Sequence, residues 1–391
     1  MSVCTIIITM FFIVLFSLVT LTNSFNVGII GTGPAGALAA ISLAKRGHTV
    51  NIFDQHVFTP EKDFKNYNLV LYKRGMDALS RFGVKYSDKS VDIKQILAHK
   101  NDVASQKRSL ESVSISRRDL LDCIKDSAKD LDITFHHSKL ITVDFENNIA
   151  FLDNCNYNYD LLIGADGSNS KVRSALRSCN QNFDFDEIWD DRGFTTFDIT
   201  KEELEKFKGY DENWKNSFHI WQDDSGDSEL ICPPSIGGGI TVSYVSKNNF
   251  DMSKFPEFEL ERLGVEEIES RKPRVTKSVY CTHAGIGNVL LMGDACHSMI
   301  PSLGQGVNAA LEDSVYLEAC FSSDSVESVV KSYNNIRLGD SYAVTKLSQI
   351  GFGNSDRSDR GNVHSAIKYI GNPDISYSEI LDIVNDKAEI V

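Results

Sequence analysis

Three glycines at the spacing Gly31-Thr32-Gly33-Pro34-Ala35-Gly36 lie between an apolar run, Asn26-Val27-Gly28-Ile29-Ile30, and the helix-forming run Ala37–Lys45. That spacing suits a dinucleotide pyrophosphate. Gly31 permits a tight turn, Gly33 lets a phosphate approach the backbone, and Gly36 lets helix and strand pack closely. Pro34 and Ala35 open the helix, whose free N–H groups and dipole favour an anion. A second strand, His48–Phe53, ends at Asp54, which is placed to accept hydrogen bonds from both ribose hydroxyls, with Gln55 next to it. An acidic residue at this point disfavours a 2′-phosphate, so the spacing predicts FAD or NAD rather than NADP.

A second anion-friendly site is encoded far downstream. Val289–Met292 reads as a buried strand ending at Gly293-Asp294, and a loop containing Gly304 and Gly306 leads into a helix from Val307-Asn308 to Cys320. A Gly-rich loop feeding a helix N-terminus supplies backbone donors, which suits the electron-rich carbonyl edge of a reduced flavin. Between the two, residues 141–167 read as a hairpin, with Ile141, Val143 and Phe145 alternating and Asn147-Asn148 turning, then a buried strand closing on Asp166-Gly167. Gly237-Gly238-Gly239 and Gly285-Ile286-Gly287 lack a following helix and read as turns. Only one complete dinucleotide fingerprint is present, so a nicotinamide reductant has no domain of its own.

These segments resemble the FAD-dependent aromatic hydroxylases, the single-component flavoprotein monooxygenases, and within them the kynurenine-hydroxylating subfamily. The likeness runs over about residues 25–350 and includes Asn68–Gly75, Ser116-Arg117-Arg118-Asp119-Leu120, the Asp166-Gly167 segment, Phe218-His219-Ile220-Trp221 and Gly293–Asn308. It implies that Asp54 holds the adenosine ribose, Val70 lies beside the flavin, Arg117 contacts FAD, Asp294 binds the ribityl or pyrophosphate region, and Val307-Asn308 sit against the ring. Asp166-Gly167 would serve both FAD and a passing NADPH or NADH. The implied reaction inserts one oxygen atom from O2 into an electron-rich small molecule by way of a flavin hydroperoxide. The alternatives are an FAD oxidoreductase, an epoxidase of a lipophilic substrate, or a non-catalytic flavin-binding protein.

The same resemblance places a carboxylate-clamping arginine on a strand over Val91–His99. Here Ile96 stands at that position and Lys94 is the nearest cation, two residues away on the same face. Lys94, Ile96 and His219 are therefore the substrate candidates, and the substrate expected is an aromatic or other electron-rich compound rather than kynurenine itself. His219 and His297 each have a packing role as the rival reading, as do Trp214 and Trp221. No residue is assigned as catalytic.

The elements that must position these groups define an α/β chain. A Rossmann-type FAD-binding domain is expected over 25–182 and 280–345. An antiparallel β-sheet substrate domain at 183–279 is inserted into it, with 76–104 crossing into that sheet. C-terminal helices follow over 346–391, after a polar loop at Gly353–Asn362, and Glu257–Glu269 reads as a solvated amphipathic helix. The 391 residues suffice for this, and a net charge of −14 with no basic block argues against a nucleic-acid partner. Eight cysteines without CxxC or Cys/His metal spacing point to no metal site; their even number fits disulfides in an oxidising lumen, and their scattered, mostly apolar settings fit buried thiols better. Cys4–Leu21 carries no charge and precedes Phe25, where the first strand begins. Residues 1–24 thus read as a signal peptide or a retained N-terminal membrane anchor, directing the protein to the secretory pathway or endoplasmic reticulum.

Overall fold

The computed structural model describes residues 24–56, 67–100, 103–108, 110–207, 209–223, 228–247, 251–255, 273–321, 325–351, 366 and 368–388. The segments Cys4–Leu21, Glu257–Glu269 and Gly353–Asn362 lie outside these residues. The described strands are β1 Asn26–Ile30, β2 Thr49–Asp54, β3 Asn68–Tyr72, β4 Ser90–Asp92, β5 Gln95–Lys100, β6 Val103–Arg108, β7 Ser112–Ser116 and β8 Ile133–His137. They continue with β9 Leu140–Asp144, β10 Ile149–Leu152, β11 Asn156–Asn158, β12 Leu161–Gly164, β13 Phe185–Ile199 and β14 Ser217–Gln222. The last five are β15 Ser228–Cys232, β16 Ile240–Ser246, β17 Arg274–Cys281, β18 Gly285–Ile286 and β19 Val289–Leu291. The helices are α1 Pro34–Ala44, α2 Lys73–Arg81, α3 Arg117–Ser127, α4 Lys171–Cys179, α5 Lys201–Leu204, α6 Asp294–His297, α7 Gly306–Cys320, α8 Val326–Gly351 and α9 Tyr377–Ala388.

Six strands in the order β18-β19-β12-β1-β2-β8 form the cofactor-side sheet, parallel throughout except for the β18/β19 hairpin. Its centre is apolar on both faces, with Val27, Ile29, Ile52, Leu161 and Ile163 buried, as a parallel sheet covered on both sides requires. α1 has the composition of a helix buried all round. Ala39, Ala40 and Leu43 pack on this sheet, while Leu38 and Ile41 join a second core with α2, α3 and the three-stranded sheet β3-β7-β4. The sequence Gly31–Gly36 therefore begins a helix that is fixed from two sides.

The second large sheet has the order β17-β13-β16-β15-β14-β5-β6. It is antiparallel but for one pair, β14 with β5, which runs parallel because β5 arrives from the cofactor side rather than through a hairpin. The crossing starts at Gln95; α2 and β4 stay with the cofactor-side cores. One face of the sheet carries a packed core of Leu97, Phe197, Ile199, Trp221, Leu230, Cys232 and Val242 under Trp214, Met252 and Phe255. The C-terminal helices α8 and α9 pack together and against the 3-10 turn Pro301–Leu303. Among the described residues no helix is long and apolar enough to cross a membrane.

Candidate cofactor and substrate site

Gly31 adopts φ +106°, and a Cβ there would stand 2.3 Å from the Ala165 carbonyl oxygen. Gly36 is as constrained, since its Cβ would lie 2.1 Å from the Gly31 oxygen. Gly33 is the opposite case: nothing stands within 4 Å of its Cβ position, and as the N-cap of α1 it contributes no side chain to cover the free N–H groups. The turn is thus closed behind and open in front, and an anionic pyrophosphate fits the open side. Across from it, Asp54 at the end of β2 accepts from the Thr32 N–H (2.8 Å) and hydroxyl (2.7 Å) through one oxygen and from the His56 N–H (2.9 Å) through the other. Both lone pairs of Oδ2 are engaged by Thr32, and Oδ1 keeps one for a ribose hydroxyl. Gln55 is exposed beside it, its carbonyl accepting from His137 Nε2 at 3.1 Å.

The second open helix end is α7. No side chain caps it, and nothing stands within 4 Å of a Cβ at Gly306. The Asn308 side chain, fully buried, clasps β3: its amide nitrogen donates to the Val70 carbonyl (3.0 Å) and to Gly304 (2.9 Å), and its oxygen accepts from the Tyr72 N–H (2.8 Å). The resemblance set Val307-Asn308 against the flavin ring. The Asn308 amide is instead spent inside the protein, fixing Val70 and Gly304 relative to the helix, and what Val307-Asn308 can offer a ring is backbone.

Gly293 takes the positive φ of 57°, with the Ala35 Cβ only 2.9 Å from its Cβ position, and this turn swings Asp294 toward α1. Asp294 reaches solvent in the cleft yet is ringed by protein, and burial pushes its carboxyl above the usual range, Asp313 adding to this against His297, Arg117 and Arg173. Arg117 opens α3, its N–H bonded to the Tyr67 carbonyl at 3.0 Å, and its charge is felt at both Tyr67 and Asp294. Burial, then Asp294, raises the Tyr67 phenol. Asp166 caps α4, accepting from Ser170 Oγ (2.5 Å), Lys171 N–H (2.7 Å) and Val172 N–H (3.3 Å), while Gly167 at φ +80° is open.

Two buried clusters behind these turns escaped the sequence reading. Arg173 donates to the carbonyls of Ala295 (2.8 Å) and Ser168 (2.7 Å) and pairs with Glu187 (2.7 Å), tying both turns to β13. Asp313, on α7, accepts from the Gly293 N–H (2.6 Å), His297 Nε2 (2.9 Å) and Arg337 Nε (2.6 Å). Burial alone would lower His297, but the Asp313 carboxylate outweighs it and holds the imidazole above its ordinary value. Arg337 also bonds Glu312 (3.0 Å), which pairs with Arg74 at 2.7 Å. The available signal was an arginine among the apolar residues Val330, Tyr333, Val344 and Leu347 of one helix.

The substrate candidates need correction. Lys94 and Ile96 are not on one strand: the chain breaks at Ile93-Lys94 between β4 and β5, and Lys94 is exposed with its N–H bonded to Asn216. His219 points into the packed core and is fully buried. Its Nε2 donates to the Trp214 carbonyl (3.1 Å), so its Nδ1 accepts from His99 Nε2 (3.0 Å); the two imidazoles stack on each other and on Trp221, and Trp214 meets them tilted and edge-on. Burial pushes both histidines down to about 4. Ile96 lies on the opposite face, next to Phe218 in register, with Ile220 beside Ile231. All four are half-buried, while Leu97, His219, Trp221, Leu230 and Cys232 between them are in the core.

The fold and paired helix ends define the class: a flavoprotein built on a dinucleotide-binding Rossmann unit. The NAD(P)-binding Rossmann-like domain family matches residues 29–80, and the FAD binding domain family matches residues 256–346. Kynurenine 3-monooxygenase of Candida albicans is 27% identical over 368 residues, covering 82% of this chain and 78% of that protein. That of Stenotrophomonas maltophilia is 28% identical over 369 residues, covering 83% and 78%. Among solved structures, a tetrameric form of 2-methyl-3-hydroxypyridine-5-carboxylic acid oxygenase superposes with a TM-score of 0.73 at 19% identity, covering 89% of this chain and 97% of that one. A probable FAD-dependent monooxygenase of Pseudomonas aeruginosa, pqsL, gives 0.67 at 17% identity, covering 88% and 100%. The chain is similar to the FAD-dependent monooxygenases over about four-fifths of its length and is an enzyme that uses FAD, NAD(P)H and O2. When bound, FAD supplies hydride acceptance and oxygen activation. The residues that would hold it are the open N-terminal end of α1 for the pyrophosphate, Asp54 for the ribose, and β3 with the start of α7 for the ring region.

Proposed function

We propose that the oxygen acceptor is a small aromatic compound with an electron-rich ring, kynurenine-like in that respect, bound against the open face of the seven-stranded sheet. The observation that carries this is the contiguous patch Ile96, Phe218, Ile220 and Ile231, apolar and half-buried on the face turned away from the core. A planar ring buries well there and meets no charge from these four side chains. The relatives' name points to kynurenine, but Ile96 offers no fork for a carboxylate.

The test is turnover by the purified flavoprotein. Substrate-dependent NADPH and O2 consumption with a hydroxylated product is measured for kynurenine, simple phenols and lipophilic alkenes. Hydroxylation of phenols or of an aromatic amine without an amino-acid tail supports this reading. Strict dependence on the kynurenine carboxylate refutes it.

We further infer that residues 1–24 act as a secretory address or membrane anchor. In support, Cys4–Leu21 carries no charge, and β1 starts close behind it at Asn26. N-terminal sequencing of protein from membrane and lumenal fractions separates the two fates, and recovery in the cytosol with residue 1 intact refutes both.

A further inference from the structure

The open face of the seven-stranded sheet changes character across its width. Its apolar patch ends at Ile231 on β15, which pairs with Ser243 of β16. Two residues along β16, Thr241 pairs with Asp198 of β13 on that same face. The core residues Ile199, Leu230, Ile240 and Val242 alternate with these and point the other way. At Asp198 and Thr241 the small sheet β3-β7-β4 comes across, and a cavity of about 450 Å³ lies between the two sheets. Asn68 and Ser114 line it from one side, and Asp198, Ser235 and Thr241 from the other. Asn68 shares a face of β3 with Val70, so the cavity adjoins the region between β3 and α7.

Asn68, Ser235 and Thr241 spend their donors within the protein. The Asn68 amide nitrogen donates to Ser114 Oγ (3.2 Å), the Pro234 carbonyl (2.9 Å) and Ser235 Oγ (3.0 Å). Thr241 gives its hydroxyl hydrogen to Asp198 Oδ1 at 2.6 Å, so Ser235 is the donor in its 3.3 Å contact with Thr241. What these residues leave open are acceptors, Asn68 Oδ1 and Asp198 Oδ2. Charge points the same way. Lys89 and Lys201 also line the cavity, but Lys89 lies 3.9 Å from Asp119 and Lys201 lies 3.5 Å from Glu205. Among the described residues no cation pairs with Asp198.

We propose that Asp198 and Asn68 determine specificity by taking the ammonium tail of an aromatic amine whose ring lies on the patch at Phe218 and Ile231. The substrate class is then an arylalkylamine without a carboxylate, an identification that rests on the aromatic-acceptor reading. An ammonium brings three donors and a positive charge, the complement of one carboxylate and one amide oxygen. Strand spacings put Asp198 roughly 12 Å from Ile231, backbone to backbone, within reach of a ring carrying a short alkyl tail. A carboxylate tail would meet Asp198 as a like charge. That agrees with an isoleucine at position 96, where the resemblance set an arginine.

Binding and turnover are measured separately on the FAD-loaded enzyme at neutral pH, with three phenols of similar shape: tyramine, 4-ethylphenol and 3-(4-hydroxyphenyl)propionate. Isothermal titration calorimetry should rank tyramine roughly 10-fold tighter than 4-ethylphenol, the scale of one hydrogen bond to a charged group, with the propionate weakest. The preference for tyramine should shrink in high salt. Asp198→Asn keeps an oxygen to accept from Thr241, and should bring tyramine down to the affinity of 4-ethylphenol. Glu202→Gln removes another carboxylate lining the cavity and should keep the preference. The proposal is overturned if the unmodified enzyme binds the propionate as tightly as tyramine, or tyramine no tighter than 4-ethylphenol. It is overturned equally if Asp198→Asn retains the preference or Glu202→Gln abolishes it. Tight tyramine binding with no hydroxylated product from any of the three refutes the aromatic-acceptor reading and upholds the ammonium site.

Discussion

Asp313→Asn tests whether the buried network or the turn's own geometry holds Gly293-Asp294 in place. The carboxylate receives the Gly293 N–H, the His297 imidazole and the Arg337 guanidinium, and because the acceptor is ionised all three bonds are charge-assisted. Breaking a buried ion pair by removing one partner costs about 3–5 kcal/mol. Asparagine keeps the shape and one acceptor, so the Gly293 bond can survive. Its amide NH2 must then face Arg337 or His297, donor against donor. Arg337 retains Glu312 and the Ala309 carbonyl (2.9 Å), which places the expected loss near the lower end, about 3 kcal/mol. Equilibrium urea unfolding of the holoprotein, followed by circular dichroism and flavin fluorescence, measures it. The pH dependence adds a second check. Asp313 is held below its ordinary 3.8, so its contribution is present above that value and is lost as pH falls through the folded pKa. His297 is held above 6.5, so its contribution is complete below 6.5 and is lost as pH rises through the folded pKa. The deficit of the variant should be widest between these limits and shrink in alkali. A loss under about 1 kcal/mol, the scale of an ordinary neutral hydrogen bond, at every pH would refute the reasoning.

Three further outcomes follow from the geometry. Gly36→Ala forces a Cβ to within 2.1 Å of the Gly31 oxygen, so the purified protein should carry little FAD, read from the ratio of flavin to protein absorbance. Because His219 is buried neutral at about 4, stability is complete above 6.5 and falls as pH drops toward 4. The expected loss by pH 5 is about 2 kcal/mol from this residue, and a flat urea midpoint between pH 7 and 5 would contradict it. Phe218→Ala should raise KM for the aromatic substrate roughly 10-fold, worth about 1.4 kcal/mol, while FAD content stays unchanged; loss of flavin instead would place Phe218 in the cofactor site.

The cofactor-side fold was legible because its signals are local. Gly31, Gly33 and Gly36 each answer a separate steric demand within six residues, and Asp54 ends a strand whose start is marked by Gly47. The clusters behind the site were illegible because their members are far apart in sequence. Nothing near Asp313 announces that it will meet both Gly293 and Arg337. Strand phase failed for a related reason. Ile141 should have pointed inward by alternation, but Leu140 and Val143 are the buried residues and Ile141 is 54% exposed, with an irregularity where Leu140 pairs with Leu152. His219 illustrates the same limit: alternation placed it on one face of β14, and only the elements covering that face decide that the face is core.

An acidic protein that binds a dianionic pyrophosphate must find positive potential somewhere, and the chain's net charge is −14. Among the described residues the buried arginines Arg74, Arg173 and Arg337 do not supply it. Arg74 is paired with Glu312, Arg337 with Glu312 and Asp313, and Arg173 with Glu187, so their charges are consumed in fastening the turns to the helices. The groups the turns leave open to a cofactor are backbone: the uncapped ends of α1 and α7, with the Arg117 charge felt nearby at Asp294. A helix N-terminus contributes about 0.3–1 kcal/mol toward an anion, and up to ~2 when partly buried. Two such ends fall well short of the roughly 12 kcal/mol of a nanomolar complex. Most of the affinity must then come from burying the rings and pairing their polar edges. That requires a cleft already shaped before the cofactor arrives, and the buried ion pairs behind Gly293, Ser168 and Ala309 are the part of the molecule that keeps it so.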